Sequence, residues 1–206
     1  MKLVVFGATG KTGVEIVKQS LAQGYEVTAF VRDPSKLTLE HADLKITTGD
    51  IYDLKAVTQV VQGQDAVICS LGTSDLGKTT VRSEGTANII KAMKENHVNR
   101  LIVVSAMGVA ESWSTLSFFN KFFFTTILRS SQQDHEKQEV VVKESDLDWT
   151  ILRPSGLTDT PQTGSYSLGE NIRGKTSRIA RADVAHAIIK EVPENAFVHK
   201  AVTITN

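Results

Sequence analysis

Short runs of branched apolar residues alternate along this chain with stretches whose apolar positions recur at helical spacing. Leu3–Phe6 is wholly apolar and is followed at once by glycine, the pattern of a strand buried on both faces of a parallel sheet. From Lys11 to Gln23 the residues Val14, Ile16, Val17 and Leu21 fall near a helical period, and Gly24 supplies the stop. Tyr25–Val31 predicts a second strand and Lys45–Thr47 a short third. Asp53–Val61 predicts a helix with Asp53 as its N-cap, and Ala66–Ser70 a fourth strand. Thr80–Asn96 predicts a longer helix with Ala87, Ile90, Ala92 and Met93 on its apolar side, followed by a strand over Arg100–Ser105. Gln133–Ser145 predicts a helix, Trp149–Arg153 a sixth strand, Asp183–Val192 a last helix and Ala201–Ile204 a last strand.

Strands alternating with helical segments of about 10–15 residues build βαβ units. The expected architecture is therefore α/β: a single doubly wound Rossmann-type domain with a mostly parallel sheet over residues 1–206, its substrate site at the carboxyl ends of the strands. Glu111–Gln132 departs from the alternation. It is long, rich in Ser and Thr, and carries Trp113, Phe118, Phe119, Phe122, Phe123 and Phe124. Three readings fit it: an amphipathic helix packing on the core or another subunit, a lid over a flat substrate, or a membrane-surface contact.

Composition narrows the class. A chain of 206 residues with 41% hydrophobic residues suits one folded domain and excludes general disorder. At this length about 70% of the unfolded surface is buried, so no disulfide or metal staple is needed. Lysine and arginine number 23 against 23 acidic residues, which argues against an electrostatic nucleic-acid binder. Cys69 is alone and fits a reducing compartment; within a strand pattern it reads as a small buried hydrophobe. The start, Met1 to Gly7, turns to glycine too soon for a signal peptide's apolar segment. A cytoplasmic protein without a membrane span, monomeric or weakly dimeric, is expected. His41, His97, His135, His186 and His199 form no H-x-x-x-H or H-E-x-x-H pattern, so no metal is expected.

The main chemical signal lies between the first strand and first helix, in Gly7-Ala8-Thr9-Gly10-Lys11-Thr12-Gly13. There Gly7 permits a tight turn, Gly10 lets a pyrophosphate approach the backbone, and Gly13 lets the helix pack close to the sheet. The helix N-terminus offers N–H groups and partial positive charge to the phosphates. A P-loop is excluded, because no G-K-[ST] closes the motif and Lys11-Thr12 comes too early.

The end of the second strand bears on NAD against NADP. Arg32 stands first in Arg32-Asp33-Pro34-Ser35-Lys36, and Lys36 and Lys11 could add charge beside it. A guanidinium suits a 2′-phosphate, whereas Asp33 near the conventional acidic position would read a ribose 2′-hydroxyl. NADP is favoured, with a solvated Arg32 as the plainer alternative. Asp50 and Ile51 follow the third strand, and Leu71, Gly72 and Thr73 follow the fourth, where open α/β sheets bind ligands. Asp50 could accept from the adenine amino group or cap the next helix.

These residues resemble the atypical short-chain dehydrogenase/reductase family, and within it the NADPH-dependent biliverdin-IXβ and flavin reductases. The likeness runs from Phe6-Gly7-Ala8-Thr9-Gly10 through Gly24–Thr28, Val31-Arg32-Asp33, Gly63–Ile68 and Leu71-Gly72-Thr73. It continues in Thr79-Thr80-Val81, Ser83-Glu84-Gly85, Asp134-His135, Pro161 and Thr163–Tyr166. The resemblance implies NADP(H), and hydride transfer to a flavin, a linear tetrapyrrole or a related planar acceptor such as a quinone, with flavin a substrate rather than a tightly held cofactor. It implies catalytic positions at Ser105 and Ser155, the latter where the tetrapyrrole reductase has a histidine. It also places Ser105 and Thr73 toward the nicotinamide. His135 either touches the cofactor ribose or faces solvent, and Ser105 could simply end its strand.

The implied cofactor set is Gly7, Thr9, Gly10, Lys11, Thr12, Gly13, Arg32, Lys36, Asp50, Ile51, Leu71, Gly72, Thr73, Ser105, His135 and Pro154. The chain departs from the wider superfamily in lacking a Tyr-x-x-x-Lys pair: neither Tyr25, Tyr52 nor Tyr166 has Lys four residues later. Carbonyl reduction would lack its proton donor, whereas a flavin holds the added electron pair as a delocalised anion and can take its proton from water. Two alternatives stand beside a reductase: a non-catalytic NADP(H) sensor acting on a protein partner, and a nucleotide-sugar epimerase or dehydratase. The missing tyrosine and small C-terminal region weigh against the last.

Overall fold

The computed structural model describes residues 1–73, 79–109, 129–170, 172 and 178–206. The main strands are β1 (Lys2–Phe6), β2 (Glu26–Val31), β3 (Leu44–Thr48), β4 (Ala66–Cys69), β5 (Arg100–Val104) and β6 (Asp148–Pro154). Three short strands follow, β7 (Gly156–Thr158), β8 (Ser167–Gly169) and β9 (Arg178–Ala180), and then β10 (Lys200–Thr205). The helices are α1 (Lys11–Ala22), α2 (Leu54–Val61), α3 (Ser83–Glu95), α4 (Arg129–Lys143) and α5 (Arg181–Glu194). One sheet runs in the order β3-β2-β1-β4-β5-β6-β10-β8, while β7 and β9 form a separate pair. Every pairing in the large sheet is parallel except β10 with β8. The fold is thus a single α/β Rossmann-like domain with a mostly parallel sheet.

The apolar run of β1 shows why the sheet is sandwiched. Alternate side chains point to opposite faces, and Leu3, Val4, Val5 and Phe6 are all fully buried. Leu3 and Val5 join one core with Ile16, Val17 and Leu21 of α1 and Val184, Ala185 and Ile188 of α5. Val4 and Phe6 join the other, with Val57 and Val61 of α2, Ile89 and Met93 of α3, and Val142 of α4. Each such aliphatic side chain contributes about 1.5–3 kcal/mol by leaving water, so neither face of β1 tolerates a polar residue. Cys69 lies in the second core, where burial pushes its thiol pKa up and holds it in the neutral form.

Helix ends differ from the sequence expectation where a distant side chain supplies the cap. Asp53 caps α2 as expected, accepting from the Lys55 and Ala56 N–H groups. The start of α3 is capped from another helix: Asp134 of α4 accepts from the backbone N–H of Arg82 and Ser83 and from the Ser83 hydroxyl. The last helix, α5, begins two residues before the expected Asp183, whose carboxylate takes the N–H groups of Thr163 and Gly164. Residues 111–128 of the aromatic stretch lie outside the described residues, while Arg129–Gln132 belong to α4. No described helix is long and apolar enough to cross a membrane.

Strand order reverses between β1 and β4, since the chain moves outward from β1 through β2 to β3 and then returns to β1's other side. That switch point opens a crevice at the carboxyl ends of the strands.

Candidate functional site

A cavity of about 1170 Å³ occupies this crevice. Gly7, Thr9, Gly10, Lys11 and Thr12 line it from the β1–α1 loop, and Arg32 from the end of β2. Ile51, Leu71, Gly72 and Thr73 contribute from the loops after β3 and β4. Ser105, His135, Pro154 and Ser155 line the β5–β6 side. Fourteen of the sequence-derived site residues therefore face one space; Gly13, Lys36 and Asp50 do not.

The glycine loop is built for close backbone approach. Gly7 has φ +79°, and a Cβ there would lie 2.2 Å from the Ser70 carbonyl oxygen. A Cβ on Gly13 would lie 2.1 Å from the Gly7 carbonyl oxygen, so Gly13 serves the packing of α1 on the loop. Gly10 is different: a Cβ there would meet Gly7's carbonyl oxygen alone, at 3.3 Å, and otherwise project into open space. Gly10 is also the N-cap of α1 and provides no side-chain cap. Uncapped first-turn N–H groups beside a cavity and a missing side chain at Gly10 fit a pyrophosphate.

The charges beside the loop are arranged differently from the expected convergence of Lys11, Arg32 and Lys36. Lys36 lies 3.7 Å from Asp33 in an exposed ion pair and is not among the residues lining the cavity. Asp33 caps its own turn, accepting from the Ser35 hydroxyl at 2.6 Å and the Ser35 N–H at 3.1 Å, which holds its carboxyl below the usual range. The carboxylate that would have read a ribose hydroxyl is thus engaged locally, and Arg32 is the charged side chain lining the cavity at this end. Asp50 neither lines the cavity nor caps α2; it accepts from the Tyr52 N–H at 3.0 Å. Lys11 reaches across to Asp159, 2.5 Å away, which also pairs with Arg181.

At the β5–β6 side a buried carboxylate organises the lining. Glu139 accepts from Ser105 Oγ at 2.7 Å, from Arg153 Nε at 2.9 Å and from Arg153 Nη2 at 2.5 Å. His135 Nδ1 lies 3.5 Å from Ser105 Oγ. Burial of the ring, helped by the positive charge of Arg82, pushes the His135 pKa down to about 3 despite Asp134 and Gln138. The imidazole is neutral near pH 7 and carries no ionisable proton to give. Ser155 Oγ is buried and has no hydrogen-bond partner among the described residues.

Several lining or supporting residues escaped the sequence reading: Arg82, Glu139, Asp159, Arg178 and Arg181. Only Glu139 had a usable signal, standing four residues after His135 and hence on the same helical face. Arg178 and Arg181 flank β9, whose three residues are too few for an alternating pattern. Among the described residues no cluster of His, Cys, Asp or Glu could hold a metal ion.

A doubly wound sheet with a glycine loop at its switch point defines a Rossmann-type dinucleotide-binding domain. The chain belongs to the NAD(P)H-binding family, which it matches over residues 7–195. It is 29% identical to the uncharacterized protein YwnB of Bacillus subtilis, covering 100% of this chain and 99% of that one. Among solved structures, the oxidoreductase ylbE of Lactococcus lactis shares the fold with a TM-score of 0.86 at 20% identity, covering 100% of this chain and 91% of that one. ChuY, an anaerobillin reductase of Escherichia coli O157:H7, gives a TM-score of 0.81 at 25% identity, covering 99% and 96%.

Proposed function

We propose that the protein is an NADPH-dependent reductase of flavins or related planar acceptors such as linear tetrapyrroles. The observation that carries this reading is that no tyrosine, aspartate or glutamate is among the described lining residues, while Ser105 gives its hydrogen to Glu139 and His135 is neutral. Such a site suits an acceptor that holds added charge by delocalisation and takes its proton from water. NADPH, when bound, supplies a hydride from its nicotinamide ring.

The chain's own residues bind and orient. The loop from Gly7 to Gly13 and the start of α1 hold the pyrophosphate, while Arg32 faces the 2′-phosphate because Asp33 is engaged by Ser35. Leu71, Gly72, Thr73 and Pro154 flank the nicotinamide end. Ser105, held in one rotamer by Glu139, presents its oxygen lone pairs to the reacting groups, and Ser155 offers a hydroxyl to the acceptor. Lys36 and Asp50 do not line the cavity, and their side chains meet Asp33 and the Tyr52 N–H instead.

The test is NADPH oxidation across riboflavin, FMN, biliverdin isomers and quinones, with cofactor binding followed separately by fluorescence. Turnover with flavin or tetrapyrrole is expected; bound NADPH without turnover on any acceptor overturns the reading. The same absence of a tyrosine or carboxyl group from the described lining favours a second one, an NADP(H) sensor acting on a protein partner. Equal affinity for NADP and NADPH without acceptor activity would select it.

A further inference from the structure

Among the described residues lining the cavity are four arginines and one lysine, and no carboxylate. Lys11 and Arg181 share Asp159, and Arg32 stands at the β2 end. Arg82 is set apart from these. It stands just before α3, on the β4 side of the cavity: a Cβ built on Gly72 would lie 3.7 Å from its Nη2. It also lies close enough to His135 for its charge to depress that ring's pKa.

The position of Arg82 is fixed, yet its guanidinium is poorly satisfied. Asp134 directs both oxygens to the α3 N-terminus, taking the N–H groups of Arg82 and Ser83 and the Ser83 hydroxyl. That leaves Arg82 Nη1 3.6 Å from Asp134 Oδ2, an ion pair too long to be a hydrogen bond. The side chain is only 9% exposed, and its Nε and Nη1 have no hydrogen-bond partner among the described residues. Buried donors on a charged group are normally paired. Here the group lines a cavity, and an oxygen atom of a bound molecule is the partner that geometry leaves open.

We propose that Arg82 is an acceptor-recognition residue whose guanidinium receives an anionic oxygen, so that the acceptor is an acid carrying a carboxylate or phosphate rather than a neutral heterocycle. The proposal rests on reading the cavity as a reductase site for planar acceptors. The placement separates Arg82 from the cofactor's phosphates, which belong to the glycine loop and Arg32 on the β1–β2 side. A charge-assisted bond to a buried guanidinium discriminates strongly against a neutral analogue.

The experiment compares wild type, Arg82→Gln and Arg82→Lys on acceptor pairs that differ only in the anion. FMN against riboflavin tests a phosphate, and biliverdin against its dimethyl ester tests a carboxylate. Acceptor affinity is read by fluorescence quenching or difference absorbance without turnover, NADPH affinity by cofactor fluorescence, and folding by thermal denaturation. Wild type is expected to prefer the anionic member of at least one pair by about tenfold or more. Arg82→Gln should abolish that preference while leaving NADPH affinity within about twofold, and Arg82→Lys should restore part of it. Equal losses for anionic and neutral acceptors, a loss of NADPH affinity instead, or no binding of either anionic acceptor overturns the proposal. Arg82-dependent anion preference in binding, without turnover, would uphold Arg82's role and reject the reductase reading.

Discussion

Ser105 Oγ donates to Glu139 Oε1 at 2.7 Å, and the same oxygen accepts from Arg153 Nε at 2.9 Å. Glu139 is 1% exposed and Arg153 4%. A serine at the end of a strand is thereby locked by a buried ion pair contributed from a helix and a neighbouring strand. The pair serves stability and site geometry at once.

Removing either function should give a different signature. Ser105→Ala leaves the Glu139–Arg153 pair in place but removes one hydrogen bond to a buried carboxylate, so stability should fall by about 1.5–3 kcal/mol, while acceptor turnover falls about tenfold with NADPH affinity retained. Glu139→Ala leaves Arg153 buried without its carboxylate and should cost about 3–5 kcal/mol in chemical denaturation. Equal stability losses in the two variants would contradict this division.

Arg32 should set cofactor preference. Arg32→Gln is expected to weaken NADPH binding by about 1.5–3 kcal/mol, the scale of a hydrogen bond to a charged group, with little effect on NADH. Titration of both dinucleotides by fluorescence checks it; parallel losses would place Arg32 away from the 2′-phosphate.

The depressed pKa of His135 has a defined consequence for acid stability. The ring titrates near 6.5 when unfolded and near 3 when folded, so the unfolded chain binds the proton first. This site's contribution to stability is therefore full above about pH 6.5 and is lost progressively as pH falls toward 3. His135→Asn should flatten the pH dependence of stability in that window. A pH profile of denaturation midpoints unchanged from wild type would refute the assignment.

Asp159 holds Lys11 and Arg181 together at the cavity rim, and all three are partly or largely exposed. Asp159→Asn releases both cations from a competing carboxylate. NADPH affinity should rise by a small factor at low ionic strength and lose that gain in high salt, because exposed charges are screened. An affinity gain that persists in high salt would point to a cause other than charge.

Much of the fold was legible because its signals are local. The apolar run of β1, the period of α1 and the Asp53 cap each depend on residues within one turn or strand. The start of α3 was misjudged because Asp134, fifty-one positions from Ser83, supplies its cap. The three-residue strands β7, β8 and β9 are held by partners rather than by a pattern of their own. In the site, glycines and strand-end positions were readable by spacing, whereas the partners of the charged side chains were not.

The amino-acid sequence by itself determined the alternating α/β order, the glycine loop and the strand ends that form the cavity wall. These follow from backbone sterics and from the burial of apolar side chains, which act within short windows of chain. Tertiary structure alone decided that Lys36 pairs with Asp33, that Lys11 meets Asp159, and that Ser105 is locked by Glu139. It alone decided that Arg82 lines the cavity with Nε and Nη1 lacking a hydrogen-bond partner among the described residues. Charge pairing depends on which distant segments the sheet order brings within a few ångströms, and an overall balance of 23 against 23 carries no trace of that.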